Sequence, residues 1–216
     1  MNDEIRTIQA GLPASGQQPR IVQTGDGNAV IPNYGTINMT VNQQVANMPF
    51  FGGRFYVPVH MDREYYNIFV IGCEEFDRPY FKVPRDRALS EMMSDETKAL
   101  FTPVSMENKA RIMTLPSLFM AENNRYGDAT DDQKVIYGFV SDMKLYENDV
   151  KIYYCGYKLD IPQRRLNELL EELELCGNRN FNEMNRTHWS IKRCDLIEEL
   201  LEAGIQVPVF RVGNTN

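Results

Sequence analysis

The chain has 216 residues, of which 43% are hydrophobic and 11% aromatic. This apolar share is large enough for a packed core and excludes wholesale disorder. The formal net charge of -7 disfavours nonspecific nucleic-acid binding, because proteins that bind nucleic acid in this way usually present a broad basic surface. A small basic pocket for a nucleotide stays compatible with this charge.

The amino-terminal residues and the cysteines indicate the compartment. Asp3, Glu4 and Arg6 stand where a secretory signal peptide needs an uninterrupted apolar stretch. No later window reaches the roughly 20 apolar residues that span a bilayer. The cysteines lack the C-x-x-C spacing of zinc and redox sites; they are Cys73, Cys155, Cys176 and Cys194. We therefore expect a cytoplasmic protein with free thiols and no membrane contact.

Changes in composition divide the chain into three parts. Residues 1–20 end in a stretch rich in Pro and Gly, which is typical of a flexible lead-in. Residues 21–52 alternate Gly/Asn turn signals with short strand-like runs and form a predicted arm. Residues 53–212 carry most of the aromatic and helical patterning and form the predicted body.

The arm contains one strand pattern with two distinct faces. Ile37, Met39 and Val41 alternate with amide and hydroxyl side chains, so one face of this strand is apolar. So small a hairpin is marginal alone, because it buries little area without a further layer. We therefore expect the apolar face to dock on the body, on a second copy of the chain or on another protein.

Strand signals dominate the first two thirds of the body. Aromatic and β-branched residues alternate over 55–73, and the runs 135–140, 143–146 and 150–157 predict a meander with a turn at 147–149. These runs favour a small twisted sheet or a partly open barrel.

Helix signals lie between and after these strands. Residues 86–101 and 105–113 are compatible with helices, and Ser105 suits the N-cap of the second. Pro162 suits the first turn of a further helix, with Gly177 as its C-cap. Its predicted apolar face consists of Leu166, Leu169, Leu170 and Leu173.

The carboxyl-terminal part predicts one more helix and a final strand. Asp195 begins a capping-box pattern, after which Ile197, Leu200 and Leu201 are expected to face the core. Residues 207–212 could add a strand. The predicted fold is α+β, with a small antiparallel sheet or partly open β-barrel, C-terminal helices and an extended β-forming N-terminal arm.

A compact polar run before the last helix is the first candidate site. Arg186, His188 and Trp189 could line a pocket in which the guanidinium binds an anion and the indole stacks on a base. The same residues could instead satisfy backbone groups and fix the only tryptophan of the chain in the core. The structural interpretation is favoured by a small margin.

Two further groups of polar residues have a ligand interpretation. Arg85 and Arg87, close to the predicted start of a helix, could contribute an anion contact, although a solvated turn is favoured. His60, Asp62 and Glu64 could face one side of a strand as metal ligands, but no second cluster completes the shell, and a turn is favoured. We predict no metal site and no cofactor.

Sequence motifs of catalysis are missing. The chain has no phosphate-binding loop, no dinucleotide fingerprint and no G-x-S-x-G elbow, and nothing local activates a thiol. These observations favour a protein that is not an enzyme.

One resemblance covers residues 110–203. The N-R-T-H-W run at 185–189, with the L-P-S-L-F run at 115–119 and the G-F-V-S-D run at 138–142, resembles an uncharacterised bacterial domain associated with proteins suspected of phage defence. The T-G-x-x-N and G-T-I-N segments of the arm resemble strand segments that precede sensor or effector modules in such systems. The resemblance implies a defence context, and it implies no catalytic residues.

Two functional hypotheses follow. The first is a non-enzymatic binding or assembly module, a sensor or accessory subunit in antiphage defence, in which the arm joins copies of the chain or docks a partner protein. The alternative is a protein that binds or processes a nucleotide or another small, anionic ligand in a pocket around the N-R-T-H-W segment. A virus- or plasmid-encoded inhibitor of a host protein is also compatible with the sequence.

Overall fold

The computed structural model describes residues 6–9, 38–41, 51–52 and 56–210. The strands in these residues are β1 Arg6–Gln9, β2 Asn38–Val41, β3 Phe51–Gly52, β4 Tyr65–Ile71, β5 Tyr80–Pro84, β6 Pro116–Ala121, β7 Lys134–Leu145, β8 Asp149–Pro162 and β9 His188–Arg193. The helices are α1 Asp95–Phe101, α2 Met106–Ile112, α3 Gln163–Asn167 and α4 Leu196–Glu202, and short 3-10 turns cover Arg85–Arg87 and Glu183–Asn185.

The body is built on one open, seven-stranded sheet with the order β3-β8-β7-β6-β4-β9, in which β5 also pairs with β8. All pairs are antiparallel except β4 with β6, which are parallel. A parallel pair needs a long crossover connection, and here residues 72–115 supply one that contains β5, α1 and α2. The predicted α+β class is confirmed. The parallel pair was not predicted, because the sequence favoured an antiparallel sheet.

The β7–β8 hairpin is the longest feature of the sheet and follows the predicted meander. The backbone N–H of Tyr146 donates to the carbonyl of Asp149 at 2.8 Å and closes the predicted turn. The two predicted runs before the turn form one strand, which is bent by a register shift between Val140 and Asp142. Gly138 is required because a Cβ there would lie 2.0 Å from the carbonyl oxygen of Cys155.

A row of aromatic rings crosses three strands and forms the centre of the core. Trp189 on β9, Phe69 on β4 and Phe119 on β6 occupy paired register positions. The rings of Trp189 and Phe119 each stack on Phe69 with centroid distances of 5.2 Å. Phe81 and Tyr154 also pack on the ring of Phe119, with centroid distances of 5.8 and 4.8 Å.

The first two helices begin at serine caps. The Ser105 side chain accepts a hydrogen bond from the N–H of Asn108, which confirms the predicted cap of α2. The helix predicted over 86–101 is shorter than expected, because α1 begins only at its cap, Ser94.

The other two helices differ in how well the sequence predicts them. The Asp195 side chain caps α4 as predicted, but Leu201 is 61% exposed and does not face the core. The helix after Pro162 ends at Asn167, so three of the four leucines of its predicted apolar face lie beyond it. Residues 207–210 form no strand, and 211–212 lie outside the described residues.

Of the predicted lead-in and arm, the structure describes β1, β2 and β3, and β3 pairs with β8 in the sheet of the body. β1 and β2 pair antiparallel in a separate two-stranded sheet, with Arg6 opposite Val41. β1 lies within residues 1–20, the predicted flexible lead-in. A strand of four residues is too short to show a periodic pattern in the sequence. Ile37 lies outside the described residues, as do the side chains of Met39 and Val41, so the predicted docking face stays a prediction. Over the part of the chain that the structure describes, no helix is long and apolar enough to cross a membrane.

Candidate functional site

β9 places buried polar side chains on one face of the sheet. Successive residues of a strand point to opposite faces, so His188, Ser190 and Lys192 share one face, while Trp189 and Ile191 share the other. All five side chains are buried. An ionisable residue such as Lys192 is seldom buried without a partner, and its surroundings therefore define the site.

Trp189 belongs to the core and not to a pocket. Its side chain is 0% exposed, and its indole N–H donates to the Oδ1 atom of Asn67 at 3.1 Å. One ring face stacks on Phe69. This agrees with the structural interpretation that the sequence favoured, and it contradicts the alternative of Trp189 stacking on a ligand base, because the indole is sealed by core side chains and its polar atom is satisfied.

The three predicted arginines are divided between two places. A guanidinium nitrogen of Arg186 lies 3.0 Å from a carboxylate oxygen of Glu91, and Arg87 donates to the carbonyl of Thr187 at 3.4 Å. Arg85 donates instead to the carbonyl of Tyr146, at the β7–β8 turn. The structure thus brings Arg87 and Arg186 to the start of β9 and holds Arg85 elsewhere, each with a partner of its own.

His188 links the N-R-T-H-W run to a buried carboxylate. Its Nδ1 atom lies 2.8 Å from the carbonyl oxygen of Arg186, so this nitrogen carries the proton and donates. Its Nε2 atom lies 3.5 Å from the Oε1 atom of Glu183. The imidazole is 1% exposed, so its Nε2 atom faces Glu183 and not solvent.

Glu183 and Lys192 form a buried ion pair at the centre of the site. The Lys192 ammonium donates to the Oε2 atom of Glu183 at 2.6 Å and to the Met92 carbonyl at 2.7 Å. The N–H of Cys176 donates to the same Oε2 atom at 2.8 Å. Burial acts to raise the pKa of Glu183, but the nearby His188 side chain and the charge of Lys192 outweigh it and lower this pKa.

A tight loop over 176–183 brings the carboxylate to this position. Gly177 bridges Asn182 and has a φ of 114°, which favours glycine. The Asn182 side chain then caps the turn at Glu183–Asn185. Gly177 therefore closes this loop, whereas the sequence predicted it as the C-cap of a helix.

A cavity of about 490 Å³ opens beside β9 and next to the ion pair. Its wall includes Met92, Met93, Thr97, Cys176, Ile191 and Arg193. Lys192 also contributes to the wall, while its ammonium is held by Glu183. Volumes of about 300–1,000 Å³ are typical of sites for small ligands, so this cavity is the candidate functional site.

Cys176 is the exposed thiol of the cavity wall. Its sulfur lies 3.7 Å from the Lys192 ammonium nitrogen, which donates to it. Burial raises the pKa of the thiol, the charge of Glu183 acts in the same direction, and Lys192 opposes them. The thiol is therefore protonated at neutral pH, and this site lacks the thiolate that nucleophilic catalysis needs.

Sequence reasoning placed a site near residues 186–189 and missed Cys176, Glu183 and Lys192. The polar alternation at 188, 190 and 192 is visible in the sequence, but it is typical of a strand with one solvated face. The residues of the metal hypothesis have other roles: Asp62 accepts from the N–H of Glu64. In the described ranges no group of His, Cys, Asp and Glu side chains could hold a metal ion.

Comparisons with known proteins give no relative. No protein-family model, no curated protein and no solved structure matches the chain.

Proposed function

We propose that the protein is a non-enzymatic binding module that holds a neutral, partly apolar ligand in the cavity beside β9. The observation that carries this proposal is the state of Lys192 and Cys176 at the cavity. Lys192 is balanced by Glu183 at 2.6 Å, and the thiol of Cys176 keeps its proton. These two groups can contact a ligand, but neither is an activated nucleophile.

The rest of the cavity wall supports a neutral ligand. Met92, Met93 and Ile191 supply apolar surface, and the hydroxyls of Ser94 and Thr97 bond to each other at 3.0 Å. An anionic nucleotide fits this wall poorly, because the charge of Lys192 is already neutralised and Trp189 is sealed in the core. The resemblance of residues 110–203 to a domain of suspected phage-defence proteins supports a role as sensor or accessory subunit.

Methyl NMR of the full chain with ¹³C-labelled methionines tests the proposal. N-isopropylacetamide, a neutral amide with a short aliphatic end, is expected to shift the Met92 and Met93 methyl signals and to leave that of the core residue Met120 unchanged. Inorganic phosphate is expected to shift none of them. A response to phosphate alone would favour the anionic alternative, and no response to either probe would contradict a ligand site here.

Thiol alkylation supplies the matched control. In a Cys73→Ser background, iodoacetamide is expected to modify Cys176 first, because Cys155 is buried and burial raises the pKa of Cys194 to about 12. The modified chain should lose the amide-induced shifts. Retained shifts would place amide binding outside the cavity.

A second function, assembly through the arm, is favoured by a different observation. In the described segments, β1 and β2 form a sheet of their own that does not join the seven-stranded sheet. Unpaired strand edges invite pairing with another chain. We expect light scattering to show more chains per particle for the full protein than for a chain that begins at Ala46 and keeps β3. Equal association states would contradict self-assembly.

A further inference from the structure

The charged side chains of the cavity wall differ in what they can offer a ligand. They are Glu174, Lys192 and Arg193. The Lys192 ammonium donates to the Oε2 atom of Glu183 at 2.6 Å and to the Met92 carbonyl at 2.7 Å. It also donates to the Cys176 sulfur at 3.7 Å. Because an ammonium has three donors, Lys192 has none left for a ligand.

Arg193 keeps unused donors. Its Nε atom and one terminal nitrogen both donate to the Oε1 atom of Glu64, at 3.1 and 2.9 Å. A guanidinium has five N–H donors, and among the described residues its other terminal nitrogen has no acceptor. The side chain is 71% exposed, so a ligand in the cavity can reach it. Arg193 can therefore bind a carboxylate while it stays paired with Glu64.

Glu174 supplies a carboxylate without a counter-ion. Among the residues that the structure describes, no cation and no hydrogen-bond donor lies within bonding distance of this carboxylate. Its backbone has a φ of 54°, a left-handed conformation that residues other than glycine seldom adopt. The described residues contain five such positions, and two of them, Glu174 and Met92, lie in this wall. Strained backbone of this kind is concentrated at ligand sites.

The same wall carries an apolar surface. Met92 and Met93 are partly buried, and their flexible thioether side chains adapt to the shape of a ligand. A carboxylate and a guanidinium with unused bonding capacity therefore lie in one cavity with a surface that favours an aliphatic group. A ligand that matches all three features carries one positive charge, one negative charge and an aliphatic part.

We propose that the cavity binds a small zwitterion with an aliphatic side chain, the class to which the free apolar α-amino acids belong. This inference rests on the proposed function and names the class of its ligand. The ammonium of the ligand binds the Glu174 carboxylate, and its carboxylate binds Arg193. Its aliphatic part lies against Met92 and Met93. Such a ligand is neutral overall and uses the acceptor and the donors that the wall leaves unused.

Methyl NMR titrations of the full chain with ¹³C-labelled methionines test this ligand class. Three probes share one aliphatic chain: L-leucine carries both charged groups, isoamylamine lacks the carboxylate, and 4-methylpentanoate lacks the ammonium. We expect the Met92 and Met93 signals to report an affinity for L-leucine about fivefold higher than for either analogue, the upper range for one exposed charge pair. Equal affinities for L-leucine and either analogue would overturn the proposal.

Two pairs of variants assign the charges. Glu174→Gln is expected to remove the advantage of L-leucine over 4-methylpentanoate, whereas Glu171→Gln, an exposed carboxylate of the same segment outside the wall, should keep it. Arg193→Gln is expected to remove the advantage over isoamylamine. Its control is Glu64→Gln, which removes the charge of the ion-pair partner and keeps the guanidinium. Advantages that persist in both Glu174→Gln and Arg193→Gln would contradict the assigned contacts.

The outcomes also separate this inference from the proposed function. If N-isopropylacetamide shifts the Met92 and Met93 signals while L-leucine binds no better than its analogues, the proposed function stands and the zwitterion class fails. If none of the four probes shifts these signals, both proposals fail. The comparison of probes uses the wild-type chain and does not depend on the folding of any variant.

Discussion

Replacing Glu183 by alanine is expected to lower the free energy of unfolding by about 3–5 kcal/mol, the range for removing one partner of a buried ion pair. The Lys192 ammonium, 4% exposed, would lose its counter-charge and stay buried with the Met92 carbonyl and the Cys176 sulfur as partners. The Nε2 atom of His188 would lose the carboxylate that lies 3.5 Å away. Urea denaturation at neutral pH measures the effect.

Two controls separate the ion pair from a general loss of packing. Replacing both partners, Glu183→Leu with Lys192→Met, is expected to destabilise less than Glu183→Ala, because no unpaired charge stays buried. Lys109→Ala breaks a pair with Asp142 that is partly exposed, and about 1 kcal/mol or less is expected. A double variant as unstable as the single variant would contradict the ion-pair explanation.

The pH dependence gives the same prediction a second readout. The pKa of Glu183 is lower in the folded protein than its ordinary value of 4.5, because His188 and Lys192 outweigh the effect of burial. Its ionised form therefore stabilises the fold above about pH 4.5, and this contribution is lost as the pH falls through the lowered pKa. The difference between wild type and Glu183→Ala should be constant near neutral pH and shrink in acid.

Local sequence patterns predict one hairpin and two helices of the fold. The β7–β8 hairpin follows from alternation and a turn at 147–149, and α2 and α4 follow from their caps at Ser105 and Asp195. The helix after Pro162 fails this test. Its leucine spacing suits a long helix, but the helix ends at Asn167, and Leu173 is buried from the turn that follows.

The candidate site depends on contacts that no local pattern contains. Lys192 meets Glu183 only because the 176–183 loop folds back over β9, and it meets the Met92 carbonyl from 100 residues away in sequence. The sequence therefore pointed to the segment that contains His188 but predicted no strand there, and its favoured structural interpretation of Trp189 agrees with the buried indole. Without that strand, the alternation that sends Trp189 and His188 to opposite faces could not be predicted.

The second large effect is expected for Trp189→Ala, which should lower the free energy of unfolding by about 3–5 kcal/mol. The substitution removes one end of the aromatic row, leaves a void against Phe69 and deprives the Asn67 Oδ1 atom of its donor. Thermal and urea denaturation measure the loss. Tyr126→Ala is the control, because this ring is 83% exposed, and a change of about 0.5 kcal/mol or less is expected.

Trp189→Phe then decides between the structural and the ligand interpretation of this residue. Phenylalanine keeps most of the ring stack but no indole N–H, so a smaller loss of about 1–3 kcal/mol is expected from the unsatisfied Asn67 oxygen. A folded Trp189→Phe variant should keep the amide-induced shifts of Met92 and Met93, because the indole lies in the core and not in the cavity wall. If stability were unchanged and the shifts were lost, Trp189 would be a ligand contact, and the assignment of the cavity would have to move toward the aromatic row.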